Sequence, residues 1–423
     1  MNSALPDTLR AWLERIEQQH PTEIDLSLDR VRRVHGRLGL RPDAGTSIVV
    51  AGTNGKGSCA AYLESIFEAT GIRTGVYTSP HLRQFHERIR VNGASVGDLD
   101  IVAAFHRVES ARMDVTLTYF EYATLAALCI FRDRDVDLCI LEVGMGGRLD
   151  AVNVVDGAVS VISSIGLDHQ GWLGEDRNAI AFEKAGVFRR DQPAVIGERD
   201  PPESIAQVAA QTGARLLQIG LDFDCERGAR NWSWHGCVNN FEGLPLPQFG
   251  GREQLINASC ALAAVEQLAV RFRSDASHVA RGLSAARLPG RFQRIEREQS
   301  WILDVAHNGE AAVVLADALS GFSGRTVAVI GMMQAKPVEA VATALDTQID
   351  EWIAVSDGHP RSLPVAELAQ RLQGCVGSPV RSAASVDAGL AAAAERAGKT
   401  DRILVAGSFH VVGPALDYLS QHG

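Results

Sequence analysis

The sequence predicts an α/β protein of two domains, the larger N-terminal one organised around a phosphate-binding loop. Three observations carry that expectation. Short β-branched runs alternate with stretches of helical periodicity along the chain. A glycine-rich turn, Gly52-Thr53-Asn54-Gly55-Lys56-Gly57-Ser58, joins one such run to a helical segment. The alternation then restarts after about residue 290, where Leu288-Pro289-Gly290-Arg291 follows a long helical stretch. The 423 residues exceed the usual ~100–200 per domain, so domains at 1–290 and 291–423 are expected.

In chain order, Ile48-Val49-Val50-Ala51 reads as a strand entering the turn, and Cys59, Tyr62, Leu63, Ile66 and Phe67 then fall at helical spacing, with Gly71 as a C-cap. Further strands are expected at Gly75–Thr78, Leu138–Val143, Val159–Ile165 and Ala194–Gly197. Several end in a polar residue or glycine, at the end of a parallel sheet where ligands bind. Residues 221–250, with Trp232, Trp234, Asn239, Asn240, Pro245 and Pro247, read as an antiparallel hairpin excursion. In the second domain, strands are expected at Trp301–Val305, Thr326–Ile330, Glu351–Val355 and Ile403–Ala406, with an Ala-rich helix at Glu310–Leu319.

Composition narrows the function classes. Hydrophobic content of 46% with 22% charged residues is enough to fold by core burial. With 41 Lys+Arg against 51 Asp+Glu the net charge is −10, which disfavours a nucleic-acid coat and requires any anionic ligand to meet a local site. The seven cysteines, Cys59, Cys129, Cys139, Cys225, Cys237, Cys260 and Cys375, contain no C-x-x-C pair and read as reduced thiols of a cytoplasmic protein. No basic n-region with an apolar core opens the chain and no apolar run approaches ~18 residues, so neither export nor a membrane span is expected.

The glycine-rich turn has the setting that phosphate binding requires. Its glycines allow inward-pointing amides, the helix N-terminus adds partial positive charge, and Lys56 adds a full one. Ser58 can offer a hydroxyl to phosphate or to a magnesium ion. A turn that merely connects strand to helix is the bland alternative. The spacing G-x-x-G-K-G-S departs from G-x-x-x-x-G-K-[ST], and the chain has no N-K-x-D motif, which argues against a generic ATPase or GTPase.

Leu138-Cys139-Ile140-Leu141-Glu142 is an apolar strand ending in an acid, costly beside phosphates unless a cation compensates it. Glu142 is therefore either a magnesium ligand or the partner of an arginine. His169, following Asp168, closes the next strand, and parallel neighbouring strands would bring Glu142 and His169 to one sheet edge. Taken alone, His169 could equally be a satisfied surface residue, and Lys184 of Glu183-Lys184-Ala185-Gly186 a solvated ion-pair partner. Ser79, in Thr78-Ser79-Pro80-His81-Leu82, also follows a strand and could complete a magnesium shell.

With these motifs in order, the chain resembles the bacterial folylpolyglutamate synthases, in particular the bifunctional dihydrofolate synthase branch of the Mur ligase superfamily. The resemblance rests on AGTNGKGS (51–58), TSPHL (78–82), LTYFEY (117–122), LEVGMGGRLDA (141–151), SIGLDH (164–169), EKAGVF (183–188), LPGRFQ (288–293), LDVAHN (303–308) and GSFH (407–410). It implies an N-terminal P-loop NTPase-like Mur-ligase central domain that binds ATP and pterin. It also implies a smaller C-terminal Rossmann-like domain that binds glutamate and closes over ATP. The implied reaction joins L-glutamate to 7,8-dihydropteroate, and to the γ-carboxyl of tetrahydrofolate and its one-carbon derivatives, through an acyl phosphate.

Carried over position by position, the resemblance implies nucleotide contacts from Thr53, Asn54, Gly55, Lys56, Gly57, Ser58, Asn257, Arg291 and Asp304. Ser79 and Glu142 would form one Mg²⁺ site, and Glu142, His169 and a carbamylated Lys184 a second. Catalytic roles fall to Lys56, Glu142, His169, Lys184 and His307, although His307 fits equally a loop histidine bonded to backbone. Pterin contacts fall to Asp25, Leu26, Ser27 and Leu28, to Thr118, Tyr119, Phe120 and Glu121, and to Leu149, Asp150 and Ala151. The Phe120 face could stack on the ring and carboxylates could accept from its N–H groups. Val152, Met145 and Gly309 depart from the family pattern, Gly309 being expected to loosen its loop.

Three alternatives remain to be tested: a monofunctional folylpolyglutamate synthase, a peptidoglycan-precursor ligase, and a non-catalytic nucleotide switch. About fifty residues precede the loop, too few for the nucleotide-sugar domain of the second. A monomer binding neither nucleic acid nor membrane is expected.

Overall fold

The computed structural model describes residues 5–40 and 46–421. It divides into two compact units, Met1–Gln248 with Leu255–Ala286, and Phe249–Gln254 with Arg287–Gly423. The division lies at Ala286/Arg287, a few residues before the turn at Pro289-Gly290, and assigns the short segment Phe249–Gln254 to the second unit.

The first unit is built on eight strands: β1 (Thr46–Ala51), β2 (Thr74–Tyr77), β3 (Ile89–Val91), β4 (Ala94–Ser95), β5 (Leu138–Glu142), β6 (Val159–Ile162), β7 (Pro193–Ile196) and β8 (Arg215–Gln218). Their order is β4-β3-β2-β5-β1-β6-β7-β8, parallel from β2 to β8 and antiparallel at β3 and β4. Every residue of β1, β2, β5, β6 and β7 is buried, the reason these runs read as continuous apolar stretches with no alternation. Strands β5 and β6 are not neighbours as the sequence suggested: β1 lies between them, Val50 pairing with Glu142 on one side and with Val161 on the other. The crossover helix Lys56–Ala69 returns the chain past β1 to β2, and it ends at Thr70 with Gly71 following at φ 81°.

The N-terminal helix Leu9–Glu17 buries Leu9, Trp12 and Ile16, at i, i+3 and i+7. Trp12 is fully buried, its ring 5.7 Å from Phe105 and 6.3 Å from Tyr122. Its apolar burial contributes on the order of 2 kcal/mol. A polar knot on Glu109 secures the same helix, with Arg15 at 2.9 Å, Gln19 at 3.1 Å, Arg112 at 2.7 Å and the Tyr122 hydroxyl at 2.7 Å. Burial opposes ionisation of Glu109, but these donors outweigh it and hold its carboxyl far below the usual range.

The segment read as a hairpin is three-stranded: β9 (Asp224–Arg227), β10 (Asn231–His235) and β11 (Asn240–Pro245), antiparallel with β10 in the centre. Trp232 and Trp234 are both fully buried on one face of β10.

The second unit carries β12 (Gln293–Glu296), β13 (Ser300–Leu303), β14 (Thr326–Ile330), β15 (Glu351–Ala354), β16 (Val380–Ser382) and β17 (Arg402–Ala406), in the order β12-β13-β17-β14-β15-β16. All are parallel except β12, which gives the doubly wound sheet expected for this half. Gly309 is the first residue of the helix Gly309–Leu319, capped by the Asn308 side chain on the Ala311 amide at 2.9 Å. It therefore sits in an ordered helical turn and does not loosen a loop. No described helix is long and apolar enough to cross a membrane, and all seven cysteines are free thiols.

Candidate active site

The glycine-rich turn leaves β1 and is fastened to the segment after β6. Thr53 N–H donates to the Ser164 carbonyl at 2.8 Å, the Thr53 hydroxyl donates to the Gly166 carbonyl at 3.1 Å, and Asn54 N–H donates to the Ser164 hydroxyl at 2.9 Å. Ser163 and Ser164 hydroxyls in turn donate to the Asn54 carbonyl at 2.6 and 3.0 Å. Lys56 curls back so that Nζ donates to the carbonyls of Gly52 and Thr53, at 3.0 and 3.2 Å. The helix it opens has no side-chain N-cap, because Gly55 holds the cap position at φ 85°. The first-turn amides therefore lack the side-chain acceptor that most helices supply. Ser58 is 1% exposed and its hydroxyl has no hydrogen-bond partner. A buried orphan hydroxyl at a helix N-terminus fits a ligand that supplies the missing oxygen or cation.

Asn257 belongs to this loop as well. A Cβ at Gly55 would lie 2.3 Å from Asn257 Oδ1, so only glycine permits the approach. The Cys59 thiol donates to the Asn257 carbonyl at 3.4 Å.

Glu142 ends β5 at 5% exposure, and Ser79 follows β2 one strand away. The pairing of Tyr77 with Leu141 brings both to the same edge, where Ser79 N–H donates to Glu142 Oε2 at 3.1 Å. His169 lies seven residues beyond β6, exposed, at φ 52° as the cap of the short helix Gln170–Leu173. It is placed by that turn and not by a strand end.

Lys184 is 3% exposed near the end of the helix Arg177–Ala185. The loop after Glu142 packs on that helix end, with Arg148 N–H donating to the Glu183 carbonyl at 2.7 Å and Asn153 Nδ2 donating to the Arg148 and Gly186 carbonyls at 3.0 Å each. The four side chains read as metal ligands thus descend from the carboxyl ends of β2, β5 and β6 and the helix beyond. Among the described residues no three His, Cys, Asp or Glu side chains cluster as a metal site.

Asp150 closes the same loop on itself. It is 3% exposed and accepts from the Met145 and Val152 amides at 2.9 and 3.0 Å. Burial pushes its carboxyl up to about 7 despite these amides and the nearby Lys56. Phe120 lies against the loop: a Cβ at Gly144 would fall 2.6 Å from its ring, and its centroid is 5.8 Å from that of Tyr77. Ala151 is buried and Leu149 half-buried.

The remaining acceptor residues are largely committed to folding. Ser27 caps the helix Leu28–Arg37 through the Asp29 amide at 3.3 Å, and Leu28 is buried beneath it, while Leu26 is half-buried. Thr118 and Glu121 form a reciprocal capping box on the helix Tyr119–Asp133. Arg30, which no sequence motif singles out, joins the two segments. It donates to Asp25 Oδ2 at 2.7 Å and to Glu121 Oε1 at 2.9 Å. The expectation that Glu121 offers its oxygens to a ring N–H meets a carboxylate already occupied by Arg30 and the Thr118 amide. The Tyr119 ring faces the Arg88 guanidinium at 5.4 Å.

In the second unit Arg291, Asp304 and His307 gather beyond β13. Asp304 accepts from the Phe292 and Ala306 amides at 2.8 Å each, and burial pushes its carboxyl up against the pull of Arg291. His307 Nδ1 donates to the Val305 carbonyl at 2.8 Å. Phe409 of the GSFH motif, assigned no role from the sequence, opens the helix Phe409–Gln421 and lies 5.3 Å from the Arg291 guanidinium and 6.4 Å from the His307 ring.

The model of the Mur ligase middle domain matches residues 50–265, and that of the Mur ligase glutamate ligase domain matches residues 290–409. A dihydrofolate synthase/folylpolyglutamate synthase from Escherichia coli is 40% identical over 97% of this chain and 95% of its own length. The chain belongs to the dihydrofolate synthase/folylpolyglutamate synthase family of Mur ligases. A member from Haemophilus influenzae is 37% identical, with 96% of each chain covered. Among solved structures, E. coli FolC in complex with DHPP and ADP superposes with a TM-score of 0.93 at 40% identity over 98% of both chains. A bifunctional member with Mn, AMPPNP and L-glutamate bound superposes at 0.90, also at 40% identity over 98% of both chains.

Proposed function

We propose that this protein is an ATP-dependent ligase that adds L-glutamate to 7,8-dihydropteroate, giving dihydrofolate, and to the γ-carboxyl of tetrahydrofolate and its one-carbon derivatives. The observation that carries the reading is the full-length kinship with bifunctional synthases, which coincides with a loop whose buried Ser58 hydroxyl lacks a partner.

A carboxylate is a poor electrophile. Transfer of the γ-phosphoryl of ATP to an acceptor carboxylate oxygen releases ADP and leaves an acyl phosphate. The glutamate amine then attacks the acyl carbon, and collapse of the tetrahedral intermediate expels phosphate and forms the amide. Both substrates of the first step are anions, so positioning and charge neutralisation dominate. Thr53, Asn54, Gly55, Gly57 and the Lys56 ammonium cradle the phosphates, and Asn257 fixes the loop from behind. Within the second unit, Arg291 and Asp304 are our candidates for nucleotide contacts and His307 for ordering phosphate or glutamate.

The donor set fits Mg²⁺, with Ser79 and Glu142 at one site and Glu142, His169 and Lys184 at another. Bound there, the ion supplies charge neutralisation on the transferring phosphoryl group. A cationic Lys184 would oppose that role by repelling the ion. Condensation of its neutral amine with CO₂, with loss of one proton, turns it into a long carboxylate. Labelling with ¹³C-bicarbonate should give a carbamate resonance that is absent in Lys184→Arg.

We read the protein as a monomer. The deciding assay is ADP release by the full chain with ATP, L-glutamate and each acceptor in turn. Glutamate-dependent release with both acceptors is expected. Release with tetrahydrofolate alone would leave a monofunctional folylpolyglutamate synthase, and release independent of glutamate would overturn the ligase reading.

A further inference from the structure

We infer that Arg30 is a positioning residue for dihydropteroate, joining two separate chain segments into one pterin-binding wall and thereby serving one of the two acceptors and not the other. The inference rests on the proposed function and deepens it.

The geometry is that of a fork. Arg30 Nη1 donates to Asp25 Oδ2 at 2.7 Å, and Nη2 donates both to the Asp25 carbonyl at 2.7 Å and to Glu121 Oε1 at 2.9 Å. Nε donates to Glu121 Oε2 at 3.3 Å. The guanidinium thus reaches a residue ninety-one positions away in sequence while its side chain is only 17% exposed. Glu121 is itself locked, since its Oε2 also accepts the Thr118 amide at 2.7 Å. A second tie runs parallel: His20 contacts Asp25 Oδ2 at 3.1 Å and the Thr116 hydroxyl at 3.0 Å.

Besides these two ties, the 25–28 segment is anchored only by the helix Leu28–Arg37 that it opens, which packs on the helix Tyr119–Asp133. Apart from Leu28 its side chains are only half-buried, and the Glu109 knot secures the preceding helix, not this loop. A planar guanidinium satisfies both carboxylates at once, which a lysine ammonium cannot do with the same directionality.

Acceptor chemistry explains why one substrate should depend on the fork more than the other. Dihydropteroate and tetrahydrofolate share a pterin ring and an aminobenzoyl group, but the carboxyl to be activated lies one glutamyl residue farther from the ring in tetrahydrofolate. The phosphates are held by the loop, so an extended glutamyl residue would set the two rings about 3.3–3.6 Å apart, one residue's length. A wall held rigid by Arg30 can match only one of these ring positions. Assignment of both segments to dihydropteroate makes that the shorter acceptor.

The test is steady-state kinetics on the full-length Arg30→Gln and Arg30→Lys variants with each acceptor, ATP and L-glutamate, alongside thermal unfolding. Arg30→Gln should raise the KM for dihydropteroate at least tenfold with kcat within threefold, and leave the KM for tetrahydrofolate within twofold. Arg30→Lys, which keeps the charge and loses the fork, should show the same selectivity at smaller amplitude, and it carries the test if the glutamine variant does not fold. An equal rise for both acceptors, a fall in kcat alone, full rescue by lysine, or unchanged kinetics would each overturn the inference. Failure of the wild-type enzyme to use either acceptor would instead overturn the proposed function.

Discussion

The Ser79 amide donates to Glu142 Oε2 at 3.1 Å, across the pairing of β2 with β5. A strand-end carboxylate is thereby oriented by the neighbouring strand's exit loop. If Glu142 is the shared metal ligand, Glu142→Gln should cut turnover by roughly 10²-fold or more without lowering the melting temperature. Mg²⁺ titration of kcat/KM would show the half-saturating concentration rising; an unchanged Mg²⁺ dependence would remove Glu142 from the site.

The Ser58 hydroxyl separates stability from function. It makes no hydrogen bond in the protein, so Ser58→Ala removes an unsatisfied polar group and should leave stability unchanged or raise it by about 1 kcal/mol. Nucleotide affinity should fall all the same, and Lys56→Ala should abolish turnover with the fold intact. Calorimetric ATP-analogue binding beside thermal melts would resolve the two effects, and wild-type affinity in Ser58→Ala would exclude the hydroxyl from nucleotide binding.

Gly55 combines φ 85° with an approach of 2.3 Å between a would-be Cβ and Asn257 Oδ1. Gly55→Ala should therefore cost on the order of 1–2 kcal/mol from the left-handed backbone alone, with a further loss from displacing Asn257. Both should appear together, as a lowered denaturation midpoint and weakened nucleotide binding. A variant as stable as wild type would contradict the loop geometry.

Asp150 gives a pH signature of known sign. Its folded carboxyl is raised by burial to about 7, against an unfolded value near 3.8. The stability it contributes is therefore fully present below about pH 4 and declines as pH rises through 7. Unfolding free energies measured between pH 5 and 8 should fall in wild type more steeply than in Asp150→Asn. Parallel profiles would show that the group titrates normally.

The strands and the loop were legible because their signals are local. Buried runs such as Thr326–Ile330 declare themselves by β-branched composition, and the loop 52–58 by glycine and lysine between a strand and a helix. The hairpin reading of 221–250 failed by one strand because Asp224–Arg227 is short and polar, carrying no apolar run of its own. Arg30 and Phe409 were assigned no role for a related reason: an arginine in a helix and a phenylalanine at a helix start look alike whether or not they span distant segments.

By itself, the sequence determined the element types, the phosphate loop and the family, since these depend on residues adjacent in the chain. Tertiary structure alone decided that β1 separates β5 from β6, that Asn257 backs Gly55, and that Arg30 clasps both Asp25 and Glu121. Those relations join residues dozens to hundreds of positions apart. Their energies come from burial and pairing across the whole fold, which no local pattern encodes.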